Sequence, residues 1–307
     1  MPGIASVSLN RPLAEFADEL GRSFSEYGFA IVCDHGIPAE LIVRAEVKAR
    51  EFFALPEEVK RRYFVKGGGG ARGYTPFGKE TAKDAAVHDL KEFWHVGRSL
   101  PDGHPLAQYM QPNIWPEEVE SFRDTFTELF AAFDVAGARI LSAIAIHLGL
   151  EEHFFDPTVE DGNSVLRMLH YPPIAGPHAE GAVRAAAHGD INTITLLLGA
   201  EEAGLELLSR QGEWLPVQPP AGALAVNIGD MLDRLTAGKL RSTTHRVVNP
   251  TGEAAYRARY SMPFFLHFRP DYLIDPLPQC VSAENPGEPP ITAHDFLQQR
   301  LREIKLA

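Results

Sequence analysis

Apolar positions recur at helical spacing in several stretches of this chain, and at strand spacing between them. From Leu13 to Glu26, Leu13, Phe16, Leu20 and Phe24 fall every three or four residues, and Asn10 or Arg11-Pro12 can begin the helix. The short apolar run Phe29 to Cys33 reads as a strand, and Ala39 to Phe53 as a second helix. The longest helical pattern extends from about Pro116 to Leu148. Phe122, Phe126, Phe130 and Phe133, then Ile140, Leu141, Ile144 and Leu148, form one stripe of core-packing type. Beyond it the chain is strand-rich to about Phe268, broken by Pro and Gly turns. Thr292 to Lys305, with Phe296, Leu297, Leu301 and Ile304, reads as a closing helix.

Within the strand-rich part, His188-Gly189-Asp190 precedes Ile191 to Leu198, a mostly β-branched or apolar run. Residues at i and i+2 of an extended segment face the same way, so His188 and Asp190 at the leading edge of that strand can share one metal ion. A third ligand must come from elsewhere. His245 stands in another strand-like segment, Ser242 to Val248, followed by the turn sequence Asn249-Pro250-Thr251-Gly252. The next run, Tyr256 to Phe268, carries Arg259 and Ser261 on one face, and a hairpin from His245 to Arg259 would bring that cation near the metal. Two histidines and one carboxylate occupy one face of an octahedral ion and leave three positions free, the ligand set of non-haem Fe(II) oxygenases.

Composition narrows the setting. With 307 residues and 45% hydrophobic content the chain can bury a full core. A formal charge of −12 argues against nucleic acid as a partner. The start, Met1-Pro2-Gly3-Ile4, shows no secretory pattern, and no uninterrupted apolar run approaches bilayer length. Two cysteines, Cys33 and Cys280, suit a reducing cytoplasm and read as packing residues. The run Gly67 to Gly70 lacks the strand, helix and Lys-Ser/Thr context of a phosphate loop and reads as a flexible loop. His35, His88, His95, His104, His147, His153, His178, His267 and His294 lie outside any ligand-spaced pair and read as structural or exposed. His170 should face away from Tyr171.

Taken together, these motifs resemble the isopenicillin N synthase-like branch of the Fe(II)/2-oxoglutarate-dependent dioxygenases, over nearly the whole chain. The resemblance rests on Tyr27 to Val32 with Asp34-His35-Gly36-Ile37-Pro38, Phe52 to Pro56, Gly73-Tyr74, Asp89 to Glu92, Gly204 to Trp214, Pro220 to Asp230 and Arg241 to Val247. It implies a mainly β fold with surrounding helices, built on a distorted double-stranded β-helix (jelly-roll) core. Residues 1–115 would form an N-terminal α/β region, 116–150 a long helix on the barrel, 160–270 the core and 271–307 a C-terminal extension and helix. Iron would be held by His188, Asp190 and His245, and the distal carboxylate of 2-oxoglutarate by Arg259, Ser261 and Tyr171. Gly199 stands where the family often has Gln, and Leu235-Thr236-Ala237-Gly238 where it often has Trp-Thr-Asn-Gly.

The resemblance implies oxidation of a small-molecule substrate with O2 and 2-oxoglutarate, by hydroxylation, desaturation or ring closure, releasing succinate and CO2. No obligate protein partner is evident, and no nucleic acid or membrane partner is expected. Three alternatives share these residues: a same-fold oxidase that does not use 2-oxoglutarate, a binding module without turnover, and a zinc hydrolase. The last lacks an evident general base beside the triplet. The pocket is expected between the loops around Arg72 to Lys91, the strand before Tyr171 and the C-terminal helix. Arg72, Lys91, Arg167 and Arg184 are candidate anchors for an acidic substrate, each read singly as surface charge.

Overall fold

The computed structural model describes residues 4, 6–67, 70–80, 87–174, 181–200 and 202–303. Met1 to Gly3, Gly68, Gly69, His178, Ile304 and Lys305 lie outside the described residues.

Two sheets face each other. The larger has the order β1-β2-β10-β7-β12-β5-β4-β3 and the smaller β6-β11-β8-β9. In chain order the strands are β1 (Ser6–Ser8), β2 (Phe29–Cys33), β3 (Gly73–Thr75), β4 (Glu92–Gly97), β5 (Val165–Tyr171), β6 (Ala185–His188), β7 (Ile194–Leu198), β8 (Leu205–Leu208), β9 (Trp214–Pro216), β10 (Leu224–Ile228), β11 (His245–Val247) and β12 (Arg259–Leu266). From β5 to β12 the chain alternates between the sheets, leaving β5, β7, β10 and β12 in one and β6, β8, β9 and β11 in the other. This is a jelly roll. The N-terminal region adds β1 to β4 to the edges of the larger sheet, so both halves of the chain share one sheet.

The helices are α1 (Leu13–Tyr27), α2 (Ala39–Phe53), α3 (Glu57–Lys60), α4 (Phe122–His147), α5 (Asp156–Val159), α6 (Asp230–Leu235) and α7 (Ala293–Glu303). The outer face of the larger sheet is covered by α4, which also packs on α1 and α2. Phe133 stacks on Phe264 at 5.1 Å and Phe130 meets it edge-on at 5.0 Å. Each such ring contributes roughly 1.5–3 kcal/mol by leaving water. In length and hydropathy α4 would qualify as a bilayer span, although polar residues interrupt its apolar run. Its most apolar window is 61% buried inside the fold, so it is a core helix here.

Strand alternation sorts side chains between the helix layer and the barrel interior. Along β12, Met262, Phe264 and Leu266 join the core under the helices, while Phe265 lines a cavity on the other face. Arg259 and Ser261 share the parity of Phe265. Along β5, Leu166 and Met168 face the helices and Val165 and Arg167 the cavity. Tyr171 follows Arg167 in parity, and His170 turns outward to stack on Tyr260 at 4.8 Å, as expected from its position.

Two local expectations are overturned. His188 does not lead the strand after it: it closes β6 in the smaller sheet, and residues 189–193 cross to the larger sheet, where β7 begins at Ile194. No hairpin joins His245 to Arg259, because β11 pairs with β6 and β8 while β12 pairs with β5 and β7 in the opposite sheet. The departure at Gly199 has a steric cause. At φ +79° it passes so close to β12 that a Cβ would fall 2.8 Å from the Tyr260 carbonyl oxygen, and a longer side chain has no room.

Candidate active site

His188 and His245 are register partners across β6 and β11. Their rings lie 4.5 Å apart, centroid to centroid. Asp190, two residues past His188 in the crossing segment, brings its Oδ1 to 3.9 Å from His188 Nε2 and 3.8 Å from His245 Nε2. One ligand atom from each of the three side chains lies within 4.8 Å of the others. Ligands at right angles on an ion at about 2.1 Å stand about 3 Å apart, so the two Asp190 separations exceed a bound arrangement by under about 1 Å.

Neighbouring groups prepare each ligand atom. His188 Nδ1 donates to the Ala186 carbonyl at 2.7 Å and His245 Nδ1 to the Thr243 carbonyl at 3.1 Å. Both bonds place the proton on Nδ1 and leave the Nε2 lone pair toward the centre. Burial, with His245 adding to it, pushes the His188 imidazole down to about 4, the neutral form that binds metal. Burial alone would raise the Asp190 carboxyl, but His245 and His188, with two hydrogen-bond donors, bring it below its ordinary value. Those donors, Thr195 Oγ1 at 2.5 Å and Asn227 Nδ2 at 2.8 Å, both hold Oδ2 and so leave Oδ1 for a metal. Thr195→Val or Asn227→Leu is therefore expected to weaken iron binding by about 10–100-fold while the chain still folds, measurable by Fe(II) titration.

In the larger sheet, β12 pairs with β5 so that Arg259 stands opposite Tyr171 and Ser261 opposite Leu169. Arg259, Ser261 and Tyr171 are all buried. Arg259 Nη1 donates to the carbonyls of Glu202 and Ala203 at 2.9 and 3.0 Å, while Nε has no partner among the described residues. Arg184, also buried, holds its Cζ 5.7 Å from the Tyr171 ring centre; burial and the neighbouring Arg259 lower its pKa. Among the described residues, neither arginine forms an ion pair. A buried cation without a counter-ion is what an anionic ligand needs, and the donor set therefore fits the distal carboxylate of a keto acid.

A cavity of about 580 Å³ opens beside His188 and Asp190. Its wall includes Arg72, Glu80 and Lys91, then Val165 and Arg167, then Leu297 and Arg300 of α7, the three regions expected to form the pocket. The surface-charge reading of Arg72, Lys91, Arg167 and Arg184 is overturned: the first three line the cavity, and Arg184 lies by Tyr171 outside its lining. His95 and His267, read as structural or exposed, are buried and line the cavity. His95 Nδ1 donates to the Gly70 carbonyl at 2.5 Å and its Nε2 accepts from Arg167 Nε at 2.6 Å. Burial, then Arg167, keeps that ring neutral; burial pushes His267 down to about 4. No spacing rule flagged Glu80, His95 or His267; only long-range folding brings them to one cavity wall.

Residues 4–118 match the family described as non-haem dioxygenase in morphine synthesis N-terminal, and residues 162–268 the 2OG-Fe(II) oxygenase superfamily. The chain belongs to the 2OG-Fe(II) oxygenases, and is a non-haem iron(II)- and 2-oxoglutarate-dependent dioxygenase. A crystal structure of a 2OG-Fe(II) oxygenase family protein from Caulobacter crescentus is 54% identical, with a TM-score of 0.92 over 99% of this chain and 100% of that one. The 2-oxoglutarate-Fe(II) type oxidoreductase hxnY of Emericella nidulans is 37% identical over 93% of this chain and 83% of its own length. A full-length Neurospora crassa protein, crystallised in complex with alpha-KG and thymine, is 27% identical with a TM-score of 0.87 over 97% of this chain and 96% of its own.

Proposed function

We propose that His188, Asp190 and His245 hold iron(II), that Arg259 with Ser261 and Tyr171 takes the distal carboxylate of 2-oxoglutarate, and that the adjoining cavity receives a small organic substrate. The observation that carries this reading is the convergence of two Nε2 atoms and Asp190 Oδ1, each freed by a bond to the other heteroatom of its side chain. When bound, iron(II) with 2-oxoglutarate and O2 supplies oxidising chemistry that releases succinate and CO2. The protein's own part is positional. The Nδ1 bonds keep both imidazoles in the ligating tautomer, and Thr195 and Asn227 stop Asp190 from turning away. Arg259, a planar fork that lysine cannot imitate, fixes the keto acid in one orientation. Phe93, Val165 and Phe265 give the cavity apolar walls that limit water beside the oxidising centre.

Anaerobic addition of Fe(II) to metal-free protein, then 2-oxoglutarate, is expected to produce a lilac charge-transfer band. Admission of O2 should then release succinate. Iron binding with neither band nor succinate would remove 2-oxoglutarate from the reading.

A further inference from the structure

Resting on the oxygenase reading above, we propose that the substrate is an organic acid, and that its carboxylate pairs with Arg72 inside the iron-bearing cavity. Buried Lys91 and the partly buried Arg167 and Arg300 of the wall have acidic partners. Lys91 Nζ lies 2.9 Å from Glu80 and 2.7 Å from Asp89. Arg167 reaches Glu80 at 3.3 Å, and Arg300 reaches Asp230 at 3.0 Å. Arg72 is 3% exposed and has no acidic partner among the described residues. Its Nη1 donates to the Ala71 carbonyl at 2.7 Å, while Nε and Nη2 have no hydrogen-bond partner among the described residues.

Those two nitrogens form one edge of the guanidinium, the edge that receives a carboxylate through two parallel bonds. A buried cation left with that edge empty opposes folding, a cost that a bound carboxylate would offset. The fold also makes space for it. Gly97 of β4 lies against the guanidinium so closely that a Cβ there would fall 1.9 Å from Arg72 Cζ. Arg259, Ser261 and Tyr171 lie outside the lining of this cavity, so the distal end of the keto acid does not compete for the wall around Arg72. Phe64, Phe93, Val165, Phe265 and Leu297 supply apolar wall, which suits a skeleton that is hydrophobic apart from its acid group.

The test uses full-length protein loaded anaerobically with Fe(II) and 2-oxoglutarate, and matched pairs of phenylacetate, 3-phenylpropanoate and octanoate with their primary amides, by titration calorimetry. At least one acid is expected to bind tenfold or more tightly than its amide. Arg72→Gln should abolish that preference while the charge-transfer band of 2-oxoglutarate persists. Gly97→Ala, which displaces the guanidinium without removing it, should cost the same preference. Arg72→Met should keep or raise the thermal midpoint, since it removes an unpaired buried charge. No acid preferred to its amide, or a preference that survives Arg72→Gln, would overturn the proposal. Absence of the band in the unsubstituted protein would overturn the oxygenase reading instead, and the acid–amide comparison would still decide the role of Arg72.

Discussion

Asp190→Ala is expected to lose iron binding by at least about 100-fold, beyond the upper range for removing a hydrogen-bonding neighbour of a ligand, and with it all iron-dependent succinate release. Asp190 is the only carboxylate of the triad and its oxygens are divided between two tasks. Oδ1 faces the two Nε2 atoms, and Oδ2 accepts from Thr195 and Asn227. Truncation removes the charge that balances the cation and strips a buried hydroxyl and a buried amide of their shortest bond, leaving longer ones to Asn192 Oδ1 at 3.3 Å and the Ile228 carbonyl at 3.5 Å. Each such loss costs up to about 1–3 kcal/mol. The variant should therefore be less stable as well as inactive. Triple substitution with Thr195→Val and Asn227→Leu should recover part of the stability and none of the iron binding. Fe(II) titration beside thermal unfolding separates the two losses; iron bound at the original affinity by Asp190→Ala would show that the centre lies elsewhere.

The triad and the cation were legible because local rules carry them. His188 and Asp190 need only a two-residue offset, and Arg259 and Ser261 need only the alternation of a strand. His245 could be proposed from the strand-like run that contains it, but its pairing opposite His188 is a contact across 57 residues of sequence that no local pattern encodes. For the same reason the expected hairpin fails. Apolar alternation identifies a strand without saying which of two facing sheets receives it, and a jelly roll alternates sheets at nearly every turn. The crossing at residues 189–193 is hard to tell from the start of β7 because Ile191 looks like strand, although Asn192 and Thr193 are buried there outside any strand.

Cavity chemistry was less legible still. Arg72, Lys91, Arg167 and Glu80 are spread over some hundred residues, and each alone resembles surface charge. Register decides otherwise: β3 pairs with β4 and β4 with β5, which sets His95 opposite Arg167 and closes the network with Lys91 and Glu80. In that network burial works against the ionised Glu80, yet Arg167 and Lys91 hold its carboxyl well below the usual range. A cation becomes informative only once its neighbours are known to be paired.

Arg259→Ala should raise the concentration of 2-oxoglutarate needed for the charge-transfer band by about 150- to 5000-fold, the equivalent of the roughly 3–5 kcal/mol lost when one partner of a buried ion pair is removed. The residue is 1% exposed, already spends Nη1 on the carbonyls of Glu202 and Ala203, and keeps Nε without a partner among the described residues. Its carbonyl bonds aim the fork before the co-substrate arrives, so little ordering remains to oppose binding. Arg259→Lys keeps the charge but loses the planar fork, and should recover only part of the affinity. Neither substitution touches a metal ligand, so Fe(II) affinity in the absence of 2-oxoglutarate should remain within a few-fold of the unsubstituted protein. Anaerobic titrations of both variants, read at the charge-transfer band, provide the measurement. An unchanged half-saturation in Arg259→Ala would assign the distal carboxylate to another cation, and Arg184, packed on Tyr171 beside Arg259, would be the next residue to replace.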